Sequence, residues 1–146
     1  MINTATKSLQ NVEQRTGTNV DVAQLDALFQ EIGWKTRGAE KWREVLSKSS
    51  CAISMWENDR LIGFGRILED GVMCMLYDIA IAPSHQKRGL GTRLMNTLID
   101  QVKGKQYASI GLFAWEGNSM NISFYERFGF KVMPTGMECL EHMRRE

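Results

Sequence analysis

The chain has 146 residues, a formal net charge of +1 and a hydrophobic fraction of 43%. This is the length of one domain and the hydrophobic content of a globular protein, so wholesale disorder is excluded. A net charge so close to zero argues against a dedicated nucleic-acid-binding protein, which usually has a strongly basic face.

The first third of the sequence predicts one strand and two helices. A short strand around residues 9–15 precedes a turn at residues 16–19, and Asp21 is a suitable N-cap for the first helix. Gly33 is expected to end that helix, and a second helix is predicted over residues 40–47. The first helix is indicated by apolar residues at helical spacing: Val22, Leu25, Leu28, Phe29 and Ile32.

The middle of the chain predicts three consecutive antiparallel strands. The strands cover residues 51–56, 61–68 and 72–82, and the last of them is long and mostly apolar. Residues 57–60 and the pair Asp70-Gly71 are typical of hairpin turns.

The last third predicts a helix, a strand, a second helix and a terminal strand pair. The first helix ends at Gly104, and a strand over residues 107–114 and a helix over 118–128 follow. The strand pair is predicted at residues 131–133 and 138–142. The first helix has a clean apolar stripe: Leu90, Leu94, Met95, Leu98, Ile99 and Val102. This order is typical of a mixed sheet with flanking helices and not of a regular βαβ repeat.

The most informative segment is the loop Gln86-Lys87-Arg88-Gly89-Leu90-Gly91, which follows a buried strand and opens a helix. The N–H groups at a helix start are unpaired and the helix dipole there is positive, which together favour an anion. Lys87, Arg88 and Arg93 are expected to add positive charge. A dinucleotide fingerprint needs a third small residue where Leu94 stands, and a P-loop needs Gly-Lys-Ser/Thr, which does not occur. A tight turn with a solvated basic face is the remaining alternative.

This loop resembles the Q/R-x-x-G-x-G/A signature of the GNAT acetyltransferase superfamily. Residues 118–130 resemble that family's second motif, N-x-x-A-x-x-x-Y-E-x-x-G-F, with Asn121 in place of the usual alanine. The resemblance implies a single α/β (α+β) domain over residues 1–146, with a mixed, mostly antiparallel sheet flanked by helices and with splayed central strands. It also implies acetyl-CoA as cosubstrate.

The resemblance places the acetyl-CoA site between the splayed strands and on the loop. The main chain of Ile79 and Ile81 would bind the pantetheine amides, and residues 86–92 would hold the pyrophosphate. The implied cofactor-binding residues are Ile79, Ala80, Ile81, Gln86, Lys87, Arg88, Gly89, Leu90, Gly91, Thr92, Asn118, Asn121 and Tyr125.

Catalysis would be direct transfer in a ternary complex, with Tyr125 as the general acid for the departing thiolate. A phenol is protonated at neutral pH and suits this role. Asp78 is the first candidate for handling the amine proton, although it could instead satisfy neighbouring groups. Further candidates for the base are Glu116, His85 and Tyr77, and His85 is expected in an exposed loop.

The acceptor side is less clearly specified. Trp34, at the end of the first helix, and Glu116 are the predicted substrate-binding residues, and aromatic side chains suit an amine through cation–π attraction. We expect a small-molecule amine as acceptor. A protein or peptide acetyltransferase and a non-catalytic acetyl-CoA-binding module are the alternatives, and the resemblance allows a homodimer.

Other sequence features bear on the cellular setting. No stretch approaches the roughly 20 apolar residues that span a bilayer, and residues 1–9 lack the hydrophobic core of a signal peptide. The cysteines, Cys51, Cys74 and Cys139, have no zinc-binding spacing, and their odd number suits a reducing compartment. We therefore expect a cytoplasmic protein with no membrane or nucleic-acid partner and no metal.

Overall fold

The computed structural model of the protein describes residues 11–114, 119–140 and 143. The elements follow in the order β1 (Val12–Thr16), α1 (Val22–Glu31), α2 (Ala39–Lys48), β2 (Cys51–Glu57), β3 (Arg60–Glu69), β4 (Met73–Ile81), a 3-10 helix (Pro83–His85), α3 (Leu90–Val102), β5 (Ser109–Leu112) and α4 (Ser119–Glu126). The chain divides into two compact units, Met1–Phe113 and Ala114–Glu146. The sheet and α1 to α3 belong to the first unit and α4 to the second, and a single domain over residues 1–146 stays a prediction.

Within the described residues, five strands form one sheet in the order β1-β2-β3-β4-β5. β1 to β4 pair antiparallel and β5 lies parallel to β4, which confirms the predicted mixed, mostly antiparallel sheet. Asn58, with a φ of +53°, turns β2 into β3, and Asp70 Oδ1 accepts the N–H groups of Val72 and Met73 where β3 turns into β4. A parallel neighbour requires a crossover, which α3 supplies.

Neighbouring residues of β3 face opposite sides of the sheet and meet different helices. Phe64 is fully buried and packs edge-on against Phe29 of α1 and Trp42 of α2, with ring centroids 6.4 and 6.0 Å apart. On the other side, a Cβ at Gly65 would lie 2.8 Å from Leu98 Cδ1 of α3. The sheet is therefore a central layer between two helix layers, and the close approach of α3 depends on a glycine.

The α-helices α1 to α4 are short, 8 to 13 residues, and α1 begins and ends at the predicted residues. Asp21 Oδ1 accepts the N–H groups of Ala23 and Gln24 at 3.0 and 3.2 Å, and Gly33 follows the helix with a φ of +89°. In the described part of the chain no helix is long and apolar enough to cross a membrane.

The second unit contains α4 and a small aromatic cluster. Phe124 meets Tyr125 and Phe128 edge-on, with centroids 5.3 and 5.1 Å apart, and Tyr125 meets Phe130 at 6.3 Å. The helix ends at Glu126, two residues before the predicted end at Phe128, and a turn follows to Gly129, which has a φ of +93°.

The predicted terminal strand pair is wrong for the described residues. Residues 131–140 contain no strand, and residues 141 and 142 lie outside the described part. The apolar side chains of Val132, Met133 and Leu140 are exposed. A two-stranded hairpin is marginal without a further strand or helix to pack on.

Candidate functional site

Residues 86–92, the phosphate loop, have a backbone suited to an anion. Lys87 and Gly89 have left-handed φ values of +63° and +82°, one on each side of Arg88. Gly89 is the N-cap of α3 and makes no side-chain cap hydrogen bond, which leaves the first N–H groups of the helix to an outside acceptor. Left-handed residues direct successive N–H groups toward one point, and the helix dipole adds positive potential there. The phosphate loop can therefore hold a pyrophosphate.

Two long side chains fix the phosphate loop to the sheet. Gln86 Nε2 donates to the carbonyl of Ile81 at 3.0 Å, which joins the loop to the end of β4. Arg93 Nη1 donates to the carbonyl of Val12 on β1 at 3.0 Å. The positive charge predicted for this site from Arg93 is therefore directed to β1, and the side chains of Lys87 and Arg88 are the exposed basic groups within the loop.

β4 and β5 separate after four residue pairs. Pairing begins at Met73 with Ser109 and ends at Leu76 with Leu112, while β4 continues to Ile81. The last five residues of β4 therefore have no pairing on the β5 side within the described residues. The splay that the resemblance implies would begin where this pairing ends.

Along the end of β4, successive peptide groups point alternately toward β3 and toward the side on which β5 is no longer paired, here called the gap. Ala82 N–H donates to the carbonyl of Ile62 at 2.7 Å. Because hydrogen-bonded pairs alternate along an antiparallel ladder, the peptide groups of Ala80 face β3 and those of Ile81 face the gap. The main chain of Ile81 therefore faces away from β3, where its carbonyl accepts from Gln86, and the main chain of Ala80 is directed to β3. The pantetheine contact of Ile81 stays a prediction.

Asp78 lies at a bulge in β4, next to this gap. The register shifts by one residue between Phe64 and Arg66, so Asp78 and Ile79 together lie opposite Gly65. The side chain of Asp78 is only 5% exposed.

Two guanidinium groups bind the carboxylate of Asp78. Arg37 donates from Nη1 to Oδ2 and from Nη2 to Oδ1, both at 2.8 Å, and Arg66 Nε donates to Oδ2 at 2.6 Å. Burial is the largest single influence and raises the pKa of Asp78, but the hydrogen bonds and charges of Arg37 and Arg66 outweigh it, so the pKa is lowered. This arrangement favours the second interpretation of Asp78, an acid that satisfies neighbouring groups. Neither arginine lies in a recognisable motif, so sequence analysis missed both.

His85 is buried, which contradicts the expected exposed loop. It is 4% exposed within the 3-10 helix, with Nδ1 2.7 Å from Ser84 Oγ. Nε2 lies 3.1 Å from Glu57 Oε2, in a direction that makes no hydrogen bond. The 3-10 turn places the ring beside Glu57 at the end of β2, one residue before the phosphate loop begins.

The second motif lies on α4. Tyr125 is half-buried, and burial raises the pKa of its phenol. Asn121, one turn earlier, is exposed. Two other predicted site residues, Glu116 and Asn118, lie outside the described residues.

Comparison with known families decides the assignment. The acetyltransferase (GNAT) family matches residues 19–130, a range that contains both motifs. The chain belongs to the GNAT acetyltransferase family.

Three similar proteins are named as acetyltransferases. An uncharacterized ycf52-like N-acetyltransferase of Prochlorococcus marinus is 34% identical over 125 residues, covering 82% of this chain and 68% of its own. A serotonin N-acetyltransferase of Oryza sativa, named as chloroplastic, is 29% identical and covers 90% of this chain and 66% of its own. A protein of Glycine max named as a histone acetyltransferase is also 29% identical and covers 90% of this chain and 61% of its own.

The fold is shared with solved GNAT structures. A GNAT acetyltransferase of Streptococcus pneumoniae superposes with a TM-score of 0.76 at 24% identity, covering 89% of this chain and 98% of its own. This similarity confirms the predicted fold class for this acetyltransferase.

Trp34 is the exposed aromatic residue on the predicted acceptor side of the acetyltransferase. The residue is 46% exposed, and the centre of its ring lies 4.8 Å from that of Phe29. Its backbone N–H donates to the Phe29 carbonyl at 2.9 Å. Trp42, Trp56 and Phe64 are buried in the core instead. Trp34 thus keeps one face available, as a substrate-binding role requires.

Replacing Trp34 with alanine should raise the acceptor KM about tenfold, the scale of one cation–π contact. The melting temperature should change little, because the side chain is half-exposed. Steady-state kinetics and thermal melts measure both. Trp56→Ala is the matched control: it removes a buried tryptophan and should cost stability. A large fall in melting temperature with an unchanged KM would assign Trp34 to the core.

Asp78→Asn should destabilise the acetyltransferase in a pH-dependent way. Removing one partner of a buried ion pair costs about 3–5 kcal/mol, and we expect the low end because the Arg37 side chain is 35% exposed. Since the folded pKa is lowered, the stabilisation is complete above the unfolded pKa of about 3.9 and is lost as the pH falls toward the folded value.

Thermal melts between pH 3 and pH 8 measure this difference. The gap in melting temperature between the native protein and Asp78→Asn should be constant near neutrality and narrow below about pH 4. Glu44→Gln is the control, because Glu44 is an exposed carboxylate between Lys41 and Lys48 and should give a small gap. An equal gap at pH 3 and pH 7 would mean that the ionised carboxylate is not the stabilising group.

Proposed function

We propose that this acetyltransferase moves an acetyl group from acetyl-CoA to the primary amine of a small molecule, by direct transfer in a ternary complex. The observation that carries the proposal is the phosphate loop, which follows the unpaired end of β4. Its left-handed residues and its helix start without a side-chain cap fit a pyrophosphate, and the family uses acetyl-CoA as cosubstrate. The gap beside Ile81 is the place for the pantetheine arm.

Acetyl-CoA supplies the activated thioester, and the chain positions it and manages the protons. The main chain of Ile79 and Ile81 binds the pantetheine amides, and residues 86–92 bind the pyrophosphate. As the new N–C bond forms and the C–S bond breaks, Tyr125 donates its phenolic proton to the sulfur. Burial raises the pKa of Tyr125, so the phenol is protonated at neutral pH. The amine's proton passes to water, because Asp78 is occupied by two arginines.

The exposed face of Trp34 favours a small aryl or alkyl amine, which it would hold by stacking and cation–π attraction. The similarity to a protein named serotonin N-acetyltransferase agrees with this substrate class. The similarity to one named histone acetyltransferase supports the second candidate, a protein or peptide lysine. Glu116 at the acceptor site and a homodimer stay predictions.

A panel of amines with acetyl-CoA tests the proposal. The panel contains serotonin, spermidine, a lysine-containing peptide and a peptide with a free N-terminus, with free thiol as the readout and mass spectrometry of the product. We expect thiol release that depends on a small amine. Acetylation of peptides alone would support the second candidate. Binding of acetyl-CoA by calorimetry without transfer to any amine would indicate a non-catalytic binding module.

A further inference from the structure

The bulge in β4 holds Asp78 in a backbone conformation that residues other than glycine rarely adopt. Its φ is +53°, in the left-handed region, and Asp78 shares its place opposite β3 with Ile79. Backbone strain of this kind persists only where the surrounding groups hold it. The partners of the Asp78 side chain therefore help to set the shape of the unpaired end of β4.

Arg66 holds the carboxylate from within the sheet. Its Nε donates to Asp78 at 2.6 Å, its guanidinium lies 4.8 Å from the centre of the Tyr77 ring, and Nη1 is 3.4 Å from Ser49 Oγ. The Arg66 side chain is mostly buried. Its position is thus set by β3 and β4 themselves.

Arg37 holds the same carboxylate from outside the sheet. It belongs to residues 32–38, the acceptor loop, and its guanidinium lies 4.6 Å from the centre of the Trp42 ring while both Nη atoms donate to the carboxylate. Asp26 Oδ1 separately accepts the backbone N–H groups of Arg37 and Gly38 at 3.2 and 3.1 Å. The acceptor loop is therefore attached to α1 through its backbone and to β4 through one side chain.

We infer that Arg37, Asp78 and Arg66, the ion cluster, position the acceptor loop against the bulge of β4, and that Asp78 is a positioning residue and not the proton acceptor. The inference rests on the proposed function, because the loop that carries Trp34 is the proposed acceptor site. A bidentate guanidinium–carboxylate pair fixes orientation as well as distance. An intact cluster would hold the acceptor amine at the right distance from a thioester beside Ile79.

Positioning and proton acceptance make different demands on the same residues. A general base needs a free lone pair and a pKa near the working pH, whereas this carboxylate accepts three charge-assisted hydrogen bonds and its pKa is lowered. A base would also act without Arg37. A positioning cluster fails when either partner is removed, and removing the second partner then adds little.

Four variants separate these roles: Asp78→Asn, Arg37→Ala, Arg37→Lys and the double variant Asp78→Asn/Arg37→Ala. Arg60→Ala is the matched control, because it removes another arginine ion pair, with Glu31, that does not involve β4. Kinetics with the most active amine of the panel give kcat/KM and its pH profile, and calorimetry gives the affinity for acetyl-CoA. Hydrogen exchange of residues 32–38 reports on the attachment of the loop without any need for turnover.

We expect Arg37→Ala to lower kcat/KM for the acceptor about 10- to 100-fold, the scale of a small misplacement. The affinity for acetyl-CoA should be unchanged, Arg37→Lys should recover part of the loss, and the double variant should be no worse than Asp78→Asn. The pH profile should keep its acidic limb in Asp78→Asn. Exchange of the acceptor loop should be several-fold faster in Asp78→Asn and Arg37→Ala and unchanged in Arg60→Ala.

Loss of the acidic limb in Asp78→Asn, with full activity in Arg37→Ala, would overturn the inference and make Asp78 the base. Lower melting temperatures with unaltered kcat/KM would also overturn it, since the cluster would then be structural only. If the native protein acetylates no amine, the proposed function fails. The exchange of residues 32–38 still decides whether Asp78 holds the loop.

Discussion

Replacing Tyr125 with phenylalanine is expected to lower kcat about 10²–10⁴-fold, the usual contribution of general acid–base catalysis. The substitution keeps the ring, and therefore the edge-on contacts with Phe124 and Phe130, and removes only the proton donor. The departing thiolate would then leave unprotonated. Affinity for acetyl-CoA should change little, because the phenol acts on charge that develops only during the reaction.

Single-turnover kinetics and calorimetry with acetyl-CoA measure the two quantities separately. Tyr107→Phe is the matched control: it removes a phenol in the first unit, outside both motifs, and should leave kcat unaltered. A Tyr125→Phe variant with nearly full kcat, with chemistry confirmed as the slow step, would reduce Tyr125 to a packing role.

Features encoded within a few residues of sequence were predictable. The N-cap at Asp21, the hairpin at Asp70 and the apolar stripe that buries α3 each depend on local chemistry and spacing, and the structure has all three. The phosphate loop belongs to this class, because its glycines and the helix after it are adjacent in sequence. Caps and apolar stripes of this kind are set by residues within a few positions of one another, so they can be identified in the sequence.

Features made by contacts between distant segments were not predictable. The ion cluster needs a register shift between β3 and β4 to direct Asp78 toward Arg66, and a loop 41 residues away to supply Arg37. The burial of His85 likewise depends on a 3-10 turn that places the ring beside Glu57 of β2. A bulge changes which face a side chain occupies, and alternation along a strand does not reveal it.

The terminal strand pair is a feature that was predicted from the sequence but does not form in the described residues. The sequence suggests strands at residues 131–133 and 138–142, yet the described residues there form none. A strand needs a neighbour as well as a pattern, and the neighbour is a property of the whole fold.

Gly91→Glu is expected to weaken acetyl-CoA binding about 100-fold or more, since opposed like charges cost several kcal/mol. Gly91 is the second residue of α3, after the N-cap Gly89, so a side chain here extends beside the N–H groups that would hold the pyrophosphate. The helix dipole stabilises a glutamate in the first turn, so the loss of acetyl-CoA affinity should come from the binding site and not from unfolding.

Calorimetry with acetyl-CoA and thermal melts distinguish these causes. Gly91→Ala adds a methyl group without charge. Its affinity for acetyl-CoA should lie between those of the native protein and Gly91→Glu, because only the steric part of the effect remains. Asn96→Glu adds the same charge at an exposed position farther along α3 and should leave the affinity near that of the native protein. A folded Gly91→Glu protein with undiminished affinity would mean that the pyrophosphate lies elsewhere, and the assignment of residues 86–92 would have to be given up.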